Sequence, residues 1–263
     1  MITRTSDVDD DGTGTTGTAH DAAWKEEIYD QIDGVAGTEQ TTTATGNQDN
    51  FSLDEPHTIL RCTGAAPVFR GFTIAGAAPT PGCRVRILAL GSTSAKVAHQ
   101  DSNSTAANRI ITPSTSGQIV GVDGSIALVY DGTTDRWRLV AAEPGGMISY
   151  GATSTVVGWA ATPTKNIWYR QLGKRIEVFF HITGTSDADA TTFTIPFTSY
   201  NSSGAFGQTN ALGVTIDNGS SVAVGTCSLA DNSATVTLLR STGTAWTTSG
   251  TKTISGQLIA EIT

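Results

Sequence analysis

The chain has 263 residues, a formal net charge of −8 and only 15% charged residues, with 16 Lys and Arg against 24 Asp and Glu. The cations are scattered, which argues against a nucleic-acid footprint, because phosphate binding needs Lys and Arg clustered on one surface. Thr, Ser, Gly and Asn stand where charge would be, and the 38% hydrophobic fraction fits thin two-sheet cores better than one thick core.

Residues 1–50 read as an arm. The opening Met1-Ile-Thr-Arg-Thr-Ser-Asp-Val-Asp-Asp-Asp11 has no apolar core of a secretory signal, and no apolar run in the chain approaches the roughly 20 residues of a membrane span. Asp7, Asp9 and Asp11 alternate as in a calcium loop, but the downstream bidentate Glu is missing, so no metal site is assigned. One helix is predicted from about Ala19 to Asp33, capped by Thr18 and ended by Gly34. Trp24, Ile28 and Ile32 fall on one face of it, with Ala22 and Tyr29 beside them. So short a helix is marginal alone. Its apolar stripe must lie on its own domain, a symmetry mate or a larger assembly, and the last two are favoured. Trp24, Ile28 and Ile32 are therefore the candidate docking or oligomer contacts. Val35 to Asn50 reads as a Thr/Gly/Gln linker without core-forming residues.

Residues 51–145 read as a first β module. Strands are predicted at Thr58–Cys62, Val68–Ile74, Arg84–Leu90, Ala95–His99, Gln118–Val122, Ile126–Tyr130 and Arg136–Val140. The last two form a hairpin, with Ile126, Leu128 and Tyr130 alternating before an Asp131-Gly132 turn and Trp137 and Leu139 alternating after it. Phe69, Phe72, Ile74, Val85, Ile87, Leu128, Tyr130, Trp137 and Leu139 are the core candidates. Arg136 and Arg138 should face water or a partner. His99, Asp101, Ser102 and Ser104 have the residue types of a catalytic triad, but adjacency in sequence does not put a base in reach of a nucleophile, and structural loop bonding is expected. Arg109 is expected to bond backbone carbonyls or Asp101. Cys62, Cys83 and Cys227 have no metal-like spacing and read as free buried thiols; a Cys62–Cys83 bridge is possible but not needed.

Pro144-Gly145-Gly146 breaks the chain, and residues 146–263 read as a second β module. Ile176, Val178, Phe180 and Ile182 alternate, as do Phe193, Ile195 and Phe197, then Leu212, Val214 and Ile216. Val222 and Val224, Val236 and Leu238, and Leu258, Ala260 and Ile262 follow. Turns are expected at Gly173-Lys174 and Asp217-Asn-Gly219. This pattern predicts an antiparallel sandwich with one wet face per sheet. Phe179 and His181 lie opposite the apolar set, on a face that could meet a neighbour. Trp246, in a polar turn-like stretch, is the single candidate ligand-binding ring, by analogy with sugar-stacking loops, although a packing role is favoured.

Three stretches carry a resemblance. Asp11-Gly-Thr-Gly-Thr-Thr-Gly-Thr18 with Ala23-Trp24 and Gln31-Ile32-Asp33 resembles the amino-terminal segments of bacteriophage virion proteins. Cys83-Arg-Val-Arg-Ile-Leu88, His99 to Pro113, Ala127-Leu-Val-Tyr-Asp131 and Arg136-Trp-Arg138 resemble a β module that recurs in phage tail and fibre proteins. Trp168 to Val178, Ile182-Thr-Gly-Thr-Ser186 with Thr191 to Phe197, and Trp246 to Gly256 resemble phage tail-fibre termini. The resemblance implies a structural virion protein, assembled in the host cytoplasm and usually homotrimeric. Such a protein docks on other virion proteins of the tail, baseplate or capsid, and its outer module can face host surface polysaccharide. A tail fibre or baseplate appendage is the first expectation, and a capsid decoration or head fibre protein the alternative. A glycan depolymerase would need paired carboxylates across a groove. Glu177, Asp187, Asp189, Asp217, Asp231 and Glu261 are few for that, so no enzyme, cofactor, catalytic residue, nucleic-acid partner or membrane insertion is expected. The expected fold is mostly β: an extended arm with one short α-helix, then two antiparallel β-sandwich modules, in a trimer.

Overall fold

The computed structural model describes residues 38–91, 94–187, 189–200, 208–221, 225–240 and 246–263. The predicted helix with Trp24, Ile28 and Ile32, the Asp7–Asp11 cluster, and Val222 and Val224 lie outside the described residues. What is described is almost all β, with one 3₁₀ turn at Ala106–Asn108.

The first half departs from the expected sandwich. Strands β1 (Thr38–Thr42), β2 (Asn47–Gln48) and β3 (Phe51–Leu53) make one coil. β4 (His57–Cys62), β5 (Val68–Phe69) and β6 (Phe72–Ile74) make a second. Each strand of the second coil pairs in parallel with its counterpart in the first. A partial third coil, β7 (Arg84–Ala89) and β8 (Ala95–Val97), adds parallel to β4 and β5. This is a short parallel β-solenoid. It is closed by antiparallel strands: β10 (Gln118–Val120) on β8, and β11 (Ser125–Asp131) on β7 with its hairpin partner β12 (Arg136–Glu143). β9 (Ile110–Ile111) lies parallel on the outer edge of β12.

The residues explain the coil. The predicted strand Val68–Ile74 is two strands with a corner at Arg70-Gly71. A Cβ on Gly71 would sit 2.6 Å from the Asn108 carbonyl oxygen and 2.9 Å from Ser104 Oγ, so only glycine lets the corner approach that loop. Aligned columns of side chains fill the interior. Leu60, Ile87 and Ile126 stack in register and are fully buried. Gln40 ends that column, and its amide is used locally, donating to the Ser52 carbonyl at 3.1 Å and accepting from Asp54 N at 3.3 Å. A second column, Phe69 and Val97, carries Gln48 at one end and Gln118 at the other. An apolar column needs a polar stop where the stack meets water, and the Thr/Gln stretch expected as a linker supplies it.

Aromatic rings pin the coils to the hairpin. Phe69 and Phe72 stack at 5.2 Å, Phe72 meets Trp137 edge-on at 5.8 Å, and Trp137 meets Tyr130 at 5.5 Å. Trp137 is fully buried and donates its indole N–H to the Phe72 carbonyl at 3.1 Å, as its expected core role requires. Ile74 and Leu139 are only partly buried at the rim of this core. The hairpin turn is held by Asp131, which accepts from Thr133 N, Thr134 Oγ1 and Arg138 Nε. Those donors, the Arg138 guanidinium first, hold its carboxyl down at about 2. Arg136 also bonds locally, to the Asp135 carbonyl at 2.7 Å. Cys62, Cys83 and Cys227 are free and buried, and burial pushes the Cys62 thiol up to about 12.

The second half is antiparallel at every described pairing. Its strands are β13 (Ile148–Ser149), β14 (Val156–Val157), β15 (Thr164–Leu172), β16 (Arg175–Thr185), β17 (Thr192–Thr194), β18 (Gln208–Asp217), β19 (Ser220–Ser221), β20 (Thr226–Leu229), β21 (Thr235–Leu239) and β22 (Thr251–Glu261). They follow one continuous path, β13-β15-β16-β22-β18-β20-β21-β17-β14, with β19 beside β18. β18 is shared: its carboxy-terminal half pairs with β22 and its amino-terminal half with β20. So the sheet turns back along a single strand, where two separate sheets were expected. Both predicted turns are present. Gly173, at φ +63°, opens the two-residue turn between β15 and β16, as a type II′ turn requires.

The two halves meet at Gln171, on the inward side of β15 and 1% exposed. Its carboxamide accepts from Ile119 N at 3.0 Å and donates to the carbonyls of Gly117 and Gly173 at 2.8 Å each. Gln118 reaches back to the Gln171 carbonyl at 3.4 Å, and Ser116 N donates to the Thr263 carbonyl at 3.3 Å. Replacing Gln171 by Leu keeps the volume but strands the Ile119 N–H and the Gly117 carbonyl. At about 1–3 kcal/mol for each of the two buried orphans, Gln171→Leu is expected to lower unfolding free energy by about 2–6 kcal/mol in urea titration. Gly71→Ala is expected to destabilise by about 1–3 kcal/mol through the clash at the coil corner, read as a lower urea midpoint.

Candidate functional site

The wet face of the β13-β15-β16-β22 sheet places the exposed Trp168 and Phe179 together in register. On β15, Ile167, Tyr169 and Gln171 point inward, leaving Trp168, Arg170 and Leu172 outside. On β16, Ile176, Val178, Phe180 and Ile182 point inward, leaving Arg175, Phe179 and His181 outside, with Glu177 on the same side but covered. Register places Trp168 directly opposite Phe179, with Ser149 and Gln257 completing the row on β13 and β22. Trp168 is 39% and Phe179 37% exposed. Met147, Trp168, Arg170 and Phe179 line an open hollow of about 520 Å3. The next row toward Asn166 is polar: Asn166, His181 and Ser255.

Beside the aromatic pair lies a fixed ion cluster. Glu177 is opposite Arg170 on the neighbouring strand. Its Oε2 accepts from Arg170 Nη2 at 2.6 Å and from Nε at 2.7 Å, and its Oε1 accepts from Arg175 Nη2 at 3.1 Å. The Glu177 side chain is 9% exposed while those of Arg170 and Arg175 are 40% and 53% exposed. One covered anion therefore holds two cations at the surface. An exposed apolar pair beside oriented N–H donors, a carboxamide and hydroxyls is suited to a ligand with one apolar face and a polar rim.

Trp246, the ligand-binding candidate from sequence, is corrected to the core. It is 8% exposed and donates its indole N–H to the Leu238 carbonyl at 2.9 Å. Its polar neighbours serve the interior instead of a ligand. Asp217 accepts from Thr247 N and Oγ1 and pairs with Arg240 Nη1 at 3.1 Å, and Ser186 Oγ donates to the Thr247 carbonyl. Close by, the fully buried Lys252 ammonium donates to the Gly158 carbonyl and to Thr191 Oγ1, and lies 4.4 Å from the Trp159 ring centre and 5.9 Å from that of Trp246. Burial brings its pKa down to about 8, with Asp187 and Asp217 pulling the other way.

The other candidates serve local structure. His99 Nδ1 and Thr112 Oγ1 are 3.1 Å apart, and Arg70 Nε pairs with Asp101 at 3.1 Å. Arg109 bonds the carbonyls of Ser104 and Ser102, as expected. Asp187 accepts from Asp189 N within one turn. The sequence reading found Phe179 and His181 but missed Trp168, Arg170 and Met147. The available signal was bulk on both parities of a one-face-wet strand, Ile167-Trp168-Tyr169 against Val178-Phe179-Phe180. No protein-family model matches the chain, and no curated protein matches it.

A lowered Lys252 pKa means that the unfolded chain binds more protons than the folded one between about pH 8 and 10.5, so Lys252 contributes stability that grows as pH rises through that window. Cys62, raised to about 12, and Tyr169, also raised to about 12, act in the opposite direction. Both cancel in a comparison with Lys252→Met. The wild-type minus Lys252→Met difference in urea midpoint is expected to rise between pH 8 and 10.5; a flat difference counts against the burial argument.

Proposed function

We propose that this chain is a non-catalytic structural protein of a bacteriophage virion, in a tail fibre or baseplate appendage, whose second module holds host surface glycan against the Trp168–Phe179 face. The observation that carries the glycan reading is that aromatic pair. It is an exposed apolar pair set between a polar row, Asn166, His181 and Ser255, and a row of opposite charges, Arg170 and Glu177. The virion reading rests on the residue patterns of the arm and of both modules.

In this reading the arm, with Trp24, Ile28 and Ile32, attaches the protein to other virion proteins. The solenoid is the spacer and the second module faces out. The assembly is a homotrimer, so that weak sites act together. Glu177 is engaged by Arg170 and Arg175, and Asp217 by Arg240 and Thr247.

Fluorescently labelled full-length chain is expected to stain host cells, and Trp168→Ala to reduce staining at least tenfold without changing the urea midpoint by more than about 0.5 kcal/mol equivalent, as for an exposed position. Unchanged staining would remove the face from the function. Native mass measurement is expected to give a trimer, and a monomer at micromolar concentration counts against the appendage. Labelled particles in electron micrographs separate a tail position from the alternative, a capsid decoration.

A further inference from the structure

The aromatic hollow is not alone on its face. The β15–β16 hairpin continues past it through two further rows, Arg170 opposite Glu177 and Leu172 opposite Arg175. There a second open hollow of about 580 Å3 is lined by Leu172, Lys174, Arg175, Ile259, Ala260 and Glu261. Alternate residues of a strand are about 6.8 Å apart, so Trp168 to Leu172 spans about 13 Å. That is the length of a short oligosaccharide and more than a single ring. Along this track chemistry changes from apolar to cationic. Arg170, Lys174 and Arg175 stand there against the carboxylates of Glu177 and Glu261.

The Glu177 carboxylate is committed. It is covered, and it takes two bonds from Arg170 and one from Arg175. A guanidinium has five N–H donors, so both arginines keep donors for a ligand while their positions are fixed. Lys174 stands at the turn with its ammonium 5.7 Å from the Tyr200 ring centre. Two oriented planar forks and one ammonium, next to a stacking surface, are arranged for an anionic group carried on a sugar chain. A planar carboxylate suits the forks best, since Arg meets it with two parallel N–H bonds.

We propose that the two hollows are one extended site for an anionic oligosaccharide bearing ring carboxylates, a uronic-acid type of chain, with a ring stacked on Trp168 and Phe179 and a carboxylate at Arg170, Arg175 and Lys174. This rests on the glycan reading above and deepens it. Glu177 is the positioning residue that presents the arginines.

The test titrates the full-length chain with oligogalacturonate and with its methyl-esterified counterpart, following the heat of binding by calorimetry at low and high salt. The free acid is expected to bind at least tenfold tighter than the ester, and to lose that advantage in high salt. Lys174→Ala combined with Arg175→Ala is expected to bring the acid down to the ester's affinity, while Trp168→Ala weakens both. Glu177→Gln is expected to lower the acid preference and to leave ester binding in place, which a purely structural loss would not do. Equal affinity for acid and ester overturns the anionic assignment, as does binding of neither, even where Trp168-dependent staining of cells persists. Loss of that staining dependence removes the glycan reading itself. A change of oligomeric state in Trp168→Ala assigns the face to contact between copies and overturns both.

Discussion

The carboxamide of Gln171 ties the two halves of this protein together. It sits where a column of solenoid side chains ends at Gln118, and it closes the remaining gap with backbone bonds on both sides. A buried amide has several donors and acceptors to satisfy, and it holds only when its partners are at fixed distances. That requirement sets the position of β15, and β15 also carries Trp168 and Arg170 on its other side. The inward residue that joins the halves and the outward residues that could meet a ligand are neighbours on one strand. A loose junction would therefore blur the face itself.

Neither core is thick. In the solenoid the apolar interior is a few stacked columns with amides at their ends, and the rings of Phe69, Phe72, Tyr130 and Trp137 join the coils to the hairpin. In the second module a sheet that returns through β18 encloses its own apolar side, and the buried Lys252 draws the Gly158 carbonyl and the Thr191 hydroxyl together beside two indoles. Polar groups with complete partners give these thin interiors one arrangement where apolar packing alone would allow several. This is why a chain with so little charge still needs buried Gln, Lys and Asp.

Much of this was legible from the residues. Period-two alternation placed β4, β7, β11, β12, β16 and β22, and the indole of Trp137 was recognisable as a core plug between two arginines. Alternation could not tell a coil from a hairpin, because a parallel rung and an antiparallel strand bury the same parity. The distinguishing residue was Gly71, which splits Val68–Ile74 into two faces, and its meaning lies in an approach to Asn108 that sequence does not display. β1 and β2 were missed because the end of a solenoid is polar inside as well as outside. Trp246, for which packing was favoured over ligand binding, was open to both readings for a related reason. Its hydroxyl neighbours looked like a ligand rim, yet they serve Asp217 within the fold. Trp168 was hidden by the equally bulky Ile167 and Tyr169 beside it.

Among the described residues β1 has a partner on one side only, β4, and the rung above it repeats the same three-sided path. Backbone geometry on such a ladder is indifferent to how many rungs there are; each adds about 4.8 Å. The length of the ladder below the hairpin is thus a countable quantity. Duplication of a twenty-odd-residue segment could extend it stepwise, leaving the hairpin lid and the seam below untouched. Ladder length and the chemistry of the sheet face can in that way vary independently within one gene.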